Sequence, residues 1–298
     1  KYKVIGAIET GKKKVIKVNN NEHAKLSEHI GLFPVVIISP NDTGLIYEGN
    51  EIRRRYFDGA ISQQDKLYLQ HLLRYTKALK QRNALLKHFS ETMQVDQQQL
   101  EPFDHELISA GKFIFEKRQA YVDSFQPHFE KLYRKLSHKS EEVGIQYESV
   151  WQKDNAEEQF KMAIKKDLIL QRTTIGVHRD AFNFQIEGHS LKRHGSQGQQ
   201  KSFLVALKLA QYEAWVASKS SKPVLLLDDI FDKLDDGRMH RILELVTKKN
   251  FGQIFISDAR PERTLSILQD NQLSAYIIEL NRGEVKKAYK HEPKKKKS

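Results

Sequence analysis

The fold is decided by the stretch HGSQGQQKSFLVALKLAQYEAW (residues 194–215), followed after a polar break by KPVLLLDDIFDKLDD (residues 222–236). Its first part is a glycine-rich loop before a predicted amphipathic helix, because leucines and alanines recur at three- and four-residue spacing. Its second part is an apolar run that ends in two carboxylates, Asp228 and Asp229. Four apolar residues between a proline and a carboxylate pair predict a buried strand of a parallel sheet.

Both parts suit the binding of phosphate. A helix N-terminus has unpaired backbone N–H groups and a positive dipole end, which stabilise an anion. Functional groups of parallel sheets lie at the carboxyl ends of the strands. We therefore expect Asp228 to bind Mg²⁺ and Asp229 to orient or deprotonate an attacking water. The loop residues expected at the phosphate are Ser196, Gln197, Gly198 and Gln199.

Each part alone has a structural explanation. A glycine-rich turn before a helix is commonly only a cap, and an aspartate after a strand is commonly only a turn residue. The two parts together, in this order, favour the functional interpretation.

The stretch resembles the signature loop and the Walker B strand of the ABC-type ATPase superfamily, and residues 231–235 resemble its D-loop. More narrowly, GSQGQQ followed by LLLDD resembles the RecF branch of DNA-repair ATPases. The resemblance implies that Asp235 also contacts the nucleotide. Most ABC ATPases have a switch histidine after the next strand, where this chain has Ser257, so the resemblance assigns γ-phosphate sensing to Ser257.

Other stretches also resemble the RecF branch. A strand and a proline turn precede Arg53, Arg54 and Arg55, which would contact DNA phosphates. The alternative is a solvated helix face with one internal salt bridge. The motif T-x-x-G-x-H-R-D (residues 173–180) would direct Arg179 to nucleotide or DNA, and the alternative is a hydrogen-bonded turn.

The segment between these motifs is predicted to be helical. Two apolar stripes at seven-residue spacing predict a helical arm, and the polar segment 92–99 predicts the turn between its helices. We expect an α/β fold: an ABC-type ATPase head with a mostly parallel sheet flanked by helices, an N-terminal antiparallel hairpin and this inserted arm. The predicted divisions are a head of residues 1–61 and 171–285, an arm of residues 62–170 and a basic tail of residues 286–298.

Composition favours an acidic partner. The formal net charge of +12 suggests binding to nucleic acid, both single-stranded and duplex, without sequence readout. The absence of cysteine is consistent with a reducing cytosol, and no apolar run reaches the length of a membrane span. We expect a cytoplasmic protein with no membrane association.

The chain contains no Walker A loop in the expected form. Residues 6–13 nearly match G-x-x-x-x-G-K-[ST], but Lys13 replaces the hydroxyl that would bind Mg²⁺. The alternating residues 15–18 also predict a strand where a helix is required. The resemblance therefore implies an upstream segment that carries Walker A, without which the chain would be inactive.

The resemblance implies a weak ATPase that uses ATP and Mg²⁺. It implies ATP-dependent binding to gapped or single-strand/duplex DNA in recombinational repair, replication and the SOS response. It also implies an ATP-dependent homodimer that works with RecR and RecO. Two alternatives remain at this stage: an ABC transporter ATPase subunit, and a non-enzymatic DNA scaffold in which ATP only latches a dimer.

Overall fold

A three-stranded parallel sheet lies at the centre of the structure, which is a computed structural model. Its strands are β4 (Val35–Ile38), β8 (Val224–Asp228) and β9 (Ile254–Ser257), in the order β4-β8-β9. Both pairings are parallel, so the carboxyl ends of all three strands meet at one edge. The predicted Walker B strand is thus confirmed, and it is the central one.

The structure describes most of the chain, with short gaps. The described residues are 2–11, 15–19, 21–22, 26–137, 141–219, 221–229, 236–248 and 251–293. Among these residues, no helix is both long enough and apolar enough to span a bilayer.

The helix after the glycine-rich loop, α8 (Gln197–Ser218), is buried on nearly all sides. The predicted amphipathic character is therefore wrong: Phe203 to Leu207, Leu209 and Ala210 are all buried. The reason is that α8 lies between the sheet strand β4 and the long helix α4 (Glu101–Leu136), so two opposite faces are covered.

The predicted N-terminal hairpin is confirmed. Strand β1 (Val4–Ala7) pairs antiparallel with β2 (Val15–Val18), and β3 (Asn21–Glu22) extends this sheet. A second hairpin, β10 (Ala275–Asn281) with β11 (Glu284–His291), follows helix α10 (Pro261–Asp270).

Long helices occupy the middle of the chain, as the apolar stripes predict. Helix α2 (Asn50–Gln64) is followed at once by α3 (Lys66–Thr92), because Asp65 ends one helix and caps the next. The Asp65 carboxylate accepts hydrogen bonds from the backbone N–H groups of Leu67 and Tyr68. Helix α4 then runs antiparallel to α3 after the predicted polar turn.

A small antiparallel sheet follows the long helices. Strand β5 (Val143–Glu148) pairs with β6 (Ala181–Ile186), in which every second residue is buried, and β7 (His189–Ser190) completes it. Two short helices, α5 (Ala156–Met162) and α6 (Ile164–Leu170), lie between β5 and β6 in the sequence. The remaining helices are α1 (Gly44–Tyr47), α7 (Leu191–His194) and α9 (Asp236–Lys248).

A buried arginine, Arg118 of α4, connects several of these elements. Its guanidinium donates to both carboxylate oxygens of Asp58 on α2, at 2.9 and 3.0 Å. It also donates to the Asp180 carboxylate and the Val177 carbonyl, each at 2.8 Å. Tyr147 of β5 donates to the same Asp180 carboxylate. Burial opposes the charged form of Arg118, but these carboxylates hold its pKa above the usual value.

A second buried arginine, Arg82 of α3, ties the two long helices to α6. Its guanidinium contacts Asp104 of α4 at 2.5 Å and Asp167 of α6 at 2.6 Å. Asp167 in turn accepts from the backbone N–H of Thr174 at 2.9 Å. The segment before β6 is therefore anchored to the helices at both of its ends, by Arg82 and by Arg118.

Replacing Arg118 tests how much stability this connection provides. We expect Arg118→Met to lower the free energy of unfolding by about 3–5 kcal/mol, because the buried Asp180 and the partly buried Asp58 lose their cation. The control is Arg134→Met on the same helix, whose exposed pair with Glu130 contributes at most about 0.5 kcal/mol. Urea unfolding followed by circular dichroism measures both; equal losses would contradict the assigned role.

Candidate nucleotide site and basic groove

Three of the predicted nucleotide-site residues lie together at the carboxyl edge of the parallel sheet. Asp228 ends β8, Ser257 ends β9, and the two residues are direct neighbours in the register. The Ser257 hydroxyl donates to the Asp228 carboxylate, and the backbone N–H of Asp229 donates to the Ser257 carbonyl at 3.2 Å. Sequence analysis assigned these residues separately, and the sheet brings them into contact.

Asp229 has an unusual backbone conformation. Its φ of 46° lies in the left-handed region, which is uncommon for residues other than glycine and is tolerated best by Asn and Asp. Its Oδ1 atom is buried and has no hydrogen-bond partner among the described residues. A carboxylate oxygen held in this way at a strand end is suited to accept from a water or to approach a cation.

These carboxylates fit a magnesium ion that is shared with phosphates. Among the described residues, no cluster of three or more His, Asp or Glu side chains could hold a metal alone. Magnesium in nucleotide sites is commonly bound by one or two carboxylates, with phosphate oxygens and waters as the other ligands. Asp228 is exposed at the strand end and presents its carboxylate there. The predicted D-loop residue Asp235 lies outside the described residues.

The signature loop forms a helix cap. Ser196 is the N-cap of α8, and its hydroxyl accepts from the backbone N–H of Gln199 at 3.2 Å. The Gln199 side chain accepts from the backbone N–H of Ser196 at 2.6 Å and donates to Glu141 at 2.8 Å. These two side chains therefore already have partners. The backbone N–H groups of Gln197 and Gly198 in the first turn have no carbonyl partner within the helix.

The signature loop lies at the N-terminal end of α8, 12 residues before the contact of that helix with the turn after β4. Lys208 of α8 forms a 2.7 Å ion pair with Asp42, which follows the end of β4. Ser196 precedes Lys208 by 12 residues, which is about 18 Å of helix at 1.5 Å per residue. Among the described residues, no hydrogen bond or ion pair joins the first turn of α8 to Asp228, Asp229 or Ser257.

The prediction that Arg53 contacts DNA is wrong. This side chain is 8% exposed, and it donates to the carbonyls of Leu45 and Phe182 at 2.7 and 2.8 Å and to the carbonyl of Ile46 at 3.0 Å. All three of its guanidinium nitrogens donate within the fold. Sequence cannot distinguish it from the two arginines that follow, since only the helix rotation decides which of the three is buried.

The other three predicted arginines line one groove of about 940 Å³ between α2, α3 and the segment before β6. Arg54 and Arg55 lie on α2, and Arg179 lies opposite. Arg55 also forms the exposed salt bridge with Glu51 that the alternative interpretation anticipated, at 3.0 Å. Sequence analysis missed a fourth arginine of the groove, Arg172, whose only signal is its position just before the T-x-x-G-x-H-R-D motif.

His178 lines the groove, but both of its ring nitrogens have partners within the fold. Its Nδ1 atom contacts the Tyr75 hydroxyl at 2.7 Å, and its Nε2 atom contacts the Thr173 carbonyl at 3.0 Å. Gly176 makes room for this pair: its φ is 135°, and a Cβ there would lie 2.5 Å from the Tyr75 hydroxyl oxygen. Burial, above all, lowers the pKa of His178 to about 4.

Comparison with known proteins identifies the family. The chain is 46% identical over 278 residues to DNA replication and repair protein RecF of Cytophaga hutchinsonii, with 93% of this chain and 74% of the relative covered. The chain belongs to the RecF family. The RecF protein of Flavobacterium johnsoniae is 43% identical over 277 residues, with 93% and 77% covered. No protein-family model matches the sequence.

Solved structures of RecF resemble this RecF-family chain in fold. A structure of the recombination mediator protein RecF with ATP in the RecFOR pathway has a TM-score of 0.79 at 31% identity, covering 88% of this chain and 71% of that chain. The corresponding structure described as RecF-ATPrS has a TM-score of 0.78 at 31% identity, covering 88% and 72%. The predicted ABC-type ATPase head is therefore confirmed, and the family is one of DNA replication and repair.

The buried His178 gives this RecF-family chain a pH-dependent stability. Because its folded pKa of about 4 is below the usual 6.5, unfolding binds a proton as the pH falls through this interval. The contribution is complete above pH 6.5 and lost by pH 4, roughly 3 kcal/mol in all. We expect His178→Gln, which can keep both hydrogen bonds, to lose less stability over that interval. Parallel urea titrations at several pH values test this; identical pH profiles would refute it.

Proposed function

We propose that this chain is the larger part of an ATP-dependent DNA-binding protein of recombinational repair, which acts at gapped or single-strand/duplex DNA. The observation that carries the proposal is the contact between Asp228, Asp229 and Ser257 at a parallel sheet edge, in a chain of the RecF family. The sheet edge provides the carboxylates of an ATP site, and the basic groove provides cations for DNA.

The chemistry proposed for the strand ends is ATP hydrolysis. Asp228 would hold Mg²⁺, which neutralises charge on the transferring phosphate when bound. The unpartnered Oδ1 of Asp229 would accept a proton from the attacking water and orient it. Ser257 keeps Asp228 in position through its hydroxyl. A serine where many ABC ATPases have a histidine favours slow turnover.

The bare face of the parallel sheet supports the proposal of an upstream Walker A segment. Ile37, Leu226 and Phe255 form one row across the three strands, and Ile37 and Phe255 are 47% and 51% exposed. Parallel sheets are normally covered on both faces. Among the described strands, β9 has no second neighbour, and β10 pairs only with β11. A strand, phosphate loop and helix would fill this edge and cover this face.

Among the described residues, the signature loop and the strand-end carboxylates share no hydrogen bond or ion pair, which supports an ATP-dependent homodimer. A nucleotide held at Asp228 would be reached by the first turn of α8 from a second copy rather than from its own chain. The free backbone N–H groups of Gln197 and Gly198 would then donate to the γ-phosphate. RecR and RecO are the proposed protein partners, consistent with the RecFOR pathway of the solved relatives.

Nucleotide titration and size-exclusion chromatography test the ATP site. We expect the present chain to bind ATP weakly and to remain monomeric, and a chain extended by its upstream segment to bind ATP and dimerise. In the extended chain, Ser196→Arg should block dimerisation with little effect on ATP binding, because the cation fills the space of the partner's γ-phosphate.

Asp229→Asn is the matched variant for this test. It keeps the side-chain shape and suits the left-handed backbone, so ATP binding and dimerisation should persist while turnover falls by tenfold or more. Tight ATP binding by the present chain would contradict the upstream Walker A. Unchanged turnover of Asp229→Asn would instead give ATP only the role of a dimer latch on a non-enzymatic scaffold.

The salt dependence of DNA binding tests the electrostatic part of the proposal. We expect the logarithm of the affinity of the extended chain for duplex DNA to fall linearly with the logarithm of salt, with a slope near −0.9 per phosphate contacted. Fluorescence anisotropy from low to moderate salt gives the slope. Absence of DNA binding at low salt would favour the transporter-subunit alternative.

A further inference from the structure

The basic groove has an apolar floor and two walls, which are formed by different parts of the chain. Helix α2 contributes Arg54 and Arg55 to one wall, and the segment before β6 contributes Arg172 and Arg179 to the other. The floor is formed mainly by α3 and by the loop before β4. Its apolar residues are Ile30, Phe33, Leu69, Leu72 and Leu79.

The groove has an excess of positive charge. The lining arginine Arg118 is neutralised by Asp58 and Asp180, and Arg55 is paired with Glu51. Three lining arginines remain: Arg54, Arg172 and Arg179. No carboxylate among the described residues lies within ion-pair distance of any of them.

These three arginines are available to a ligand. Arg54 donates one N–H to the Asp180 carbonyl at 2.6 Å, and the nearby charges of Asp180, Asp58 and Glu51 compensate part of its charge. Arg172 and Arg179 are exposed. Their planar guanidinium groups match phosphate oxygens in geometry as well as in charge. Cations and apolar side chains therefore line the same groove, and Arg54 lies close to Arg179, since it donates to the residue that follows Arg179.

The groove also contains polar side chains whose hydrogen-bonding capacity is not fully used. The Ser62 hydroxyl is buried, lines the groove and has no hydrogen-bond partner among the described residues. Asn83 accepts from the backbone N–H and the hydroxyl of Thr173 at 2.8 Å each, so its amide N–H₂ remains as a donor. Phe33 is 39% exposed at one end. The groove thus combines phosphate-binding cations, apolar surface and a few directional polar groups.

We propose that this groove binds the unpaired strand of gapped DNA. Phosphates lie against Arg54, Arg172 and Arg179, and unstacked bases lie on Leu72, Leu79 and Phe33. A duplex cannot use the floor, since its bases are stacked inside. The inference rests on the proposed DNA-binding function and adds a site and a preferred strand form to it.

Charge removal inside and outside the groove provides the first test. The double variant Arg172→Ala/Arg179→Ala is compared with Arg74→Ala/Arg134→Ala, which removes two exposed arginines on α3 and α4 outside the groove. Both are made in the extended chain with ATP. Anisotropy is measured on an oligo-dT strand and on duplex DNA of equal length, and circular dichroism verifies folding.

We expect the groove variant to bind oligo-dT at least tenfold more weakly, with its salt slope reduced by about 1.4, which is 0.7 for each of two lost contacts. Duplex affinity should change less, and the control variant should bind oligo-dT nearly as well as the unsubstituted chain. Equal losses from both variants, or equal losses for oligo-dT and duplex, would overturn the proposal.

The second test concerns the floor. A gapped duplex with 2-aminopurine in the gap should become brighter on binding, because the base analogue leaves its stack. Leu72→Ala should reduce this increase while the salt slope stays constant, since no cation is removed. An unchanged increase in both Leu72→Ala and the groove variant would place the unpaired strand elsewhere.

The outcomes separate this inference from the proposed function. If the unsubstituted protein binds no DNA, the proposed function itself fails. If it binds gapped DNA with an affinity that groove substitutions do not alter, only the groove assignment fails. Displacement of oligo-dT by poly-glutamate at matched charge, with no 2-aminopurine response, would identify the groove as a site for an acidic protein segment and overturn the DNA assignment.

Discussion

The ionic contact of Arg118 with Asp58 and Asp180 is the interaction on which the arrangement of this chain depends. Those residues belong to α4, α2 and the turn before β6, which are far apart in sequence. A buried guanidinium is costly to desolvate, so it persists only where several acceptors surround it. Its position also fixes the neighbours of Asp180, including Arg179. The buried contact between Arg118 and Asp180 therefore also positions Arg179, the residue before Asp180, at the groove.

The nucleotide site depends on a different constraint, the parallel register of the sheet. Because β8 and β9 end at the same level, Asp228 lies directly beside Ser257. Asp229 also donates to Ser257, although the two are 28 positions apart in the sequence. Asp229, the next residue, has a left-handed backbone. The result is a carboxylate pair at the sheet edge, in which one buried oxygen of Asp229 has no hydrogen-bond partner among the described residues.

The local pattern of apolar residues was sufficient to predict the helices and strands in which that pattern is clear. The apolar run of β8, the alternation of β6 and the long stripes of α3 and α4 were all recognisable, since each depends on neighbours in sequence. The sequence was less informative about which side chains are buried and which residues contact one another. Arg53 and Arg55 are two positions apart and chemically identical, yet one is buried and the other exposed. Only the packing of α2 against β6 decides between them.

The same limit applies to the groove. Arg172 became visible as a functional candidate only when the fold placed it opposite Arg54, because nothing in its own sequence neighbourhood specifies that distance. The break between α5 and α6 at Ala163 was likewise hidden, since the helical period continues across it. Family resemblance supplied the ATPase head, but it could not show which side chains of the motifs were already engaged within the fold.

The link from Gln199 to Glu141 has a mechanical consequence. Glu141 lies in the connection that leaves α4, and its carboxylate also accepts from Tyr133 of that helix at 2.7 Å. The first turn of α8 is therefore tethered through one carboxylate to the end of a 36-residue helix. A displacement of this end of α4 would therefore reach the first turn of α8 through Glu141 and Gln199.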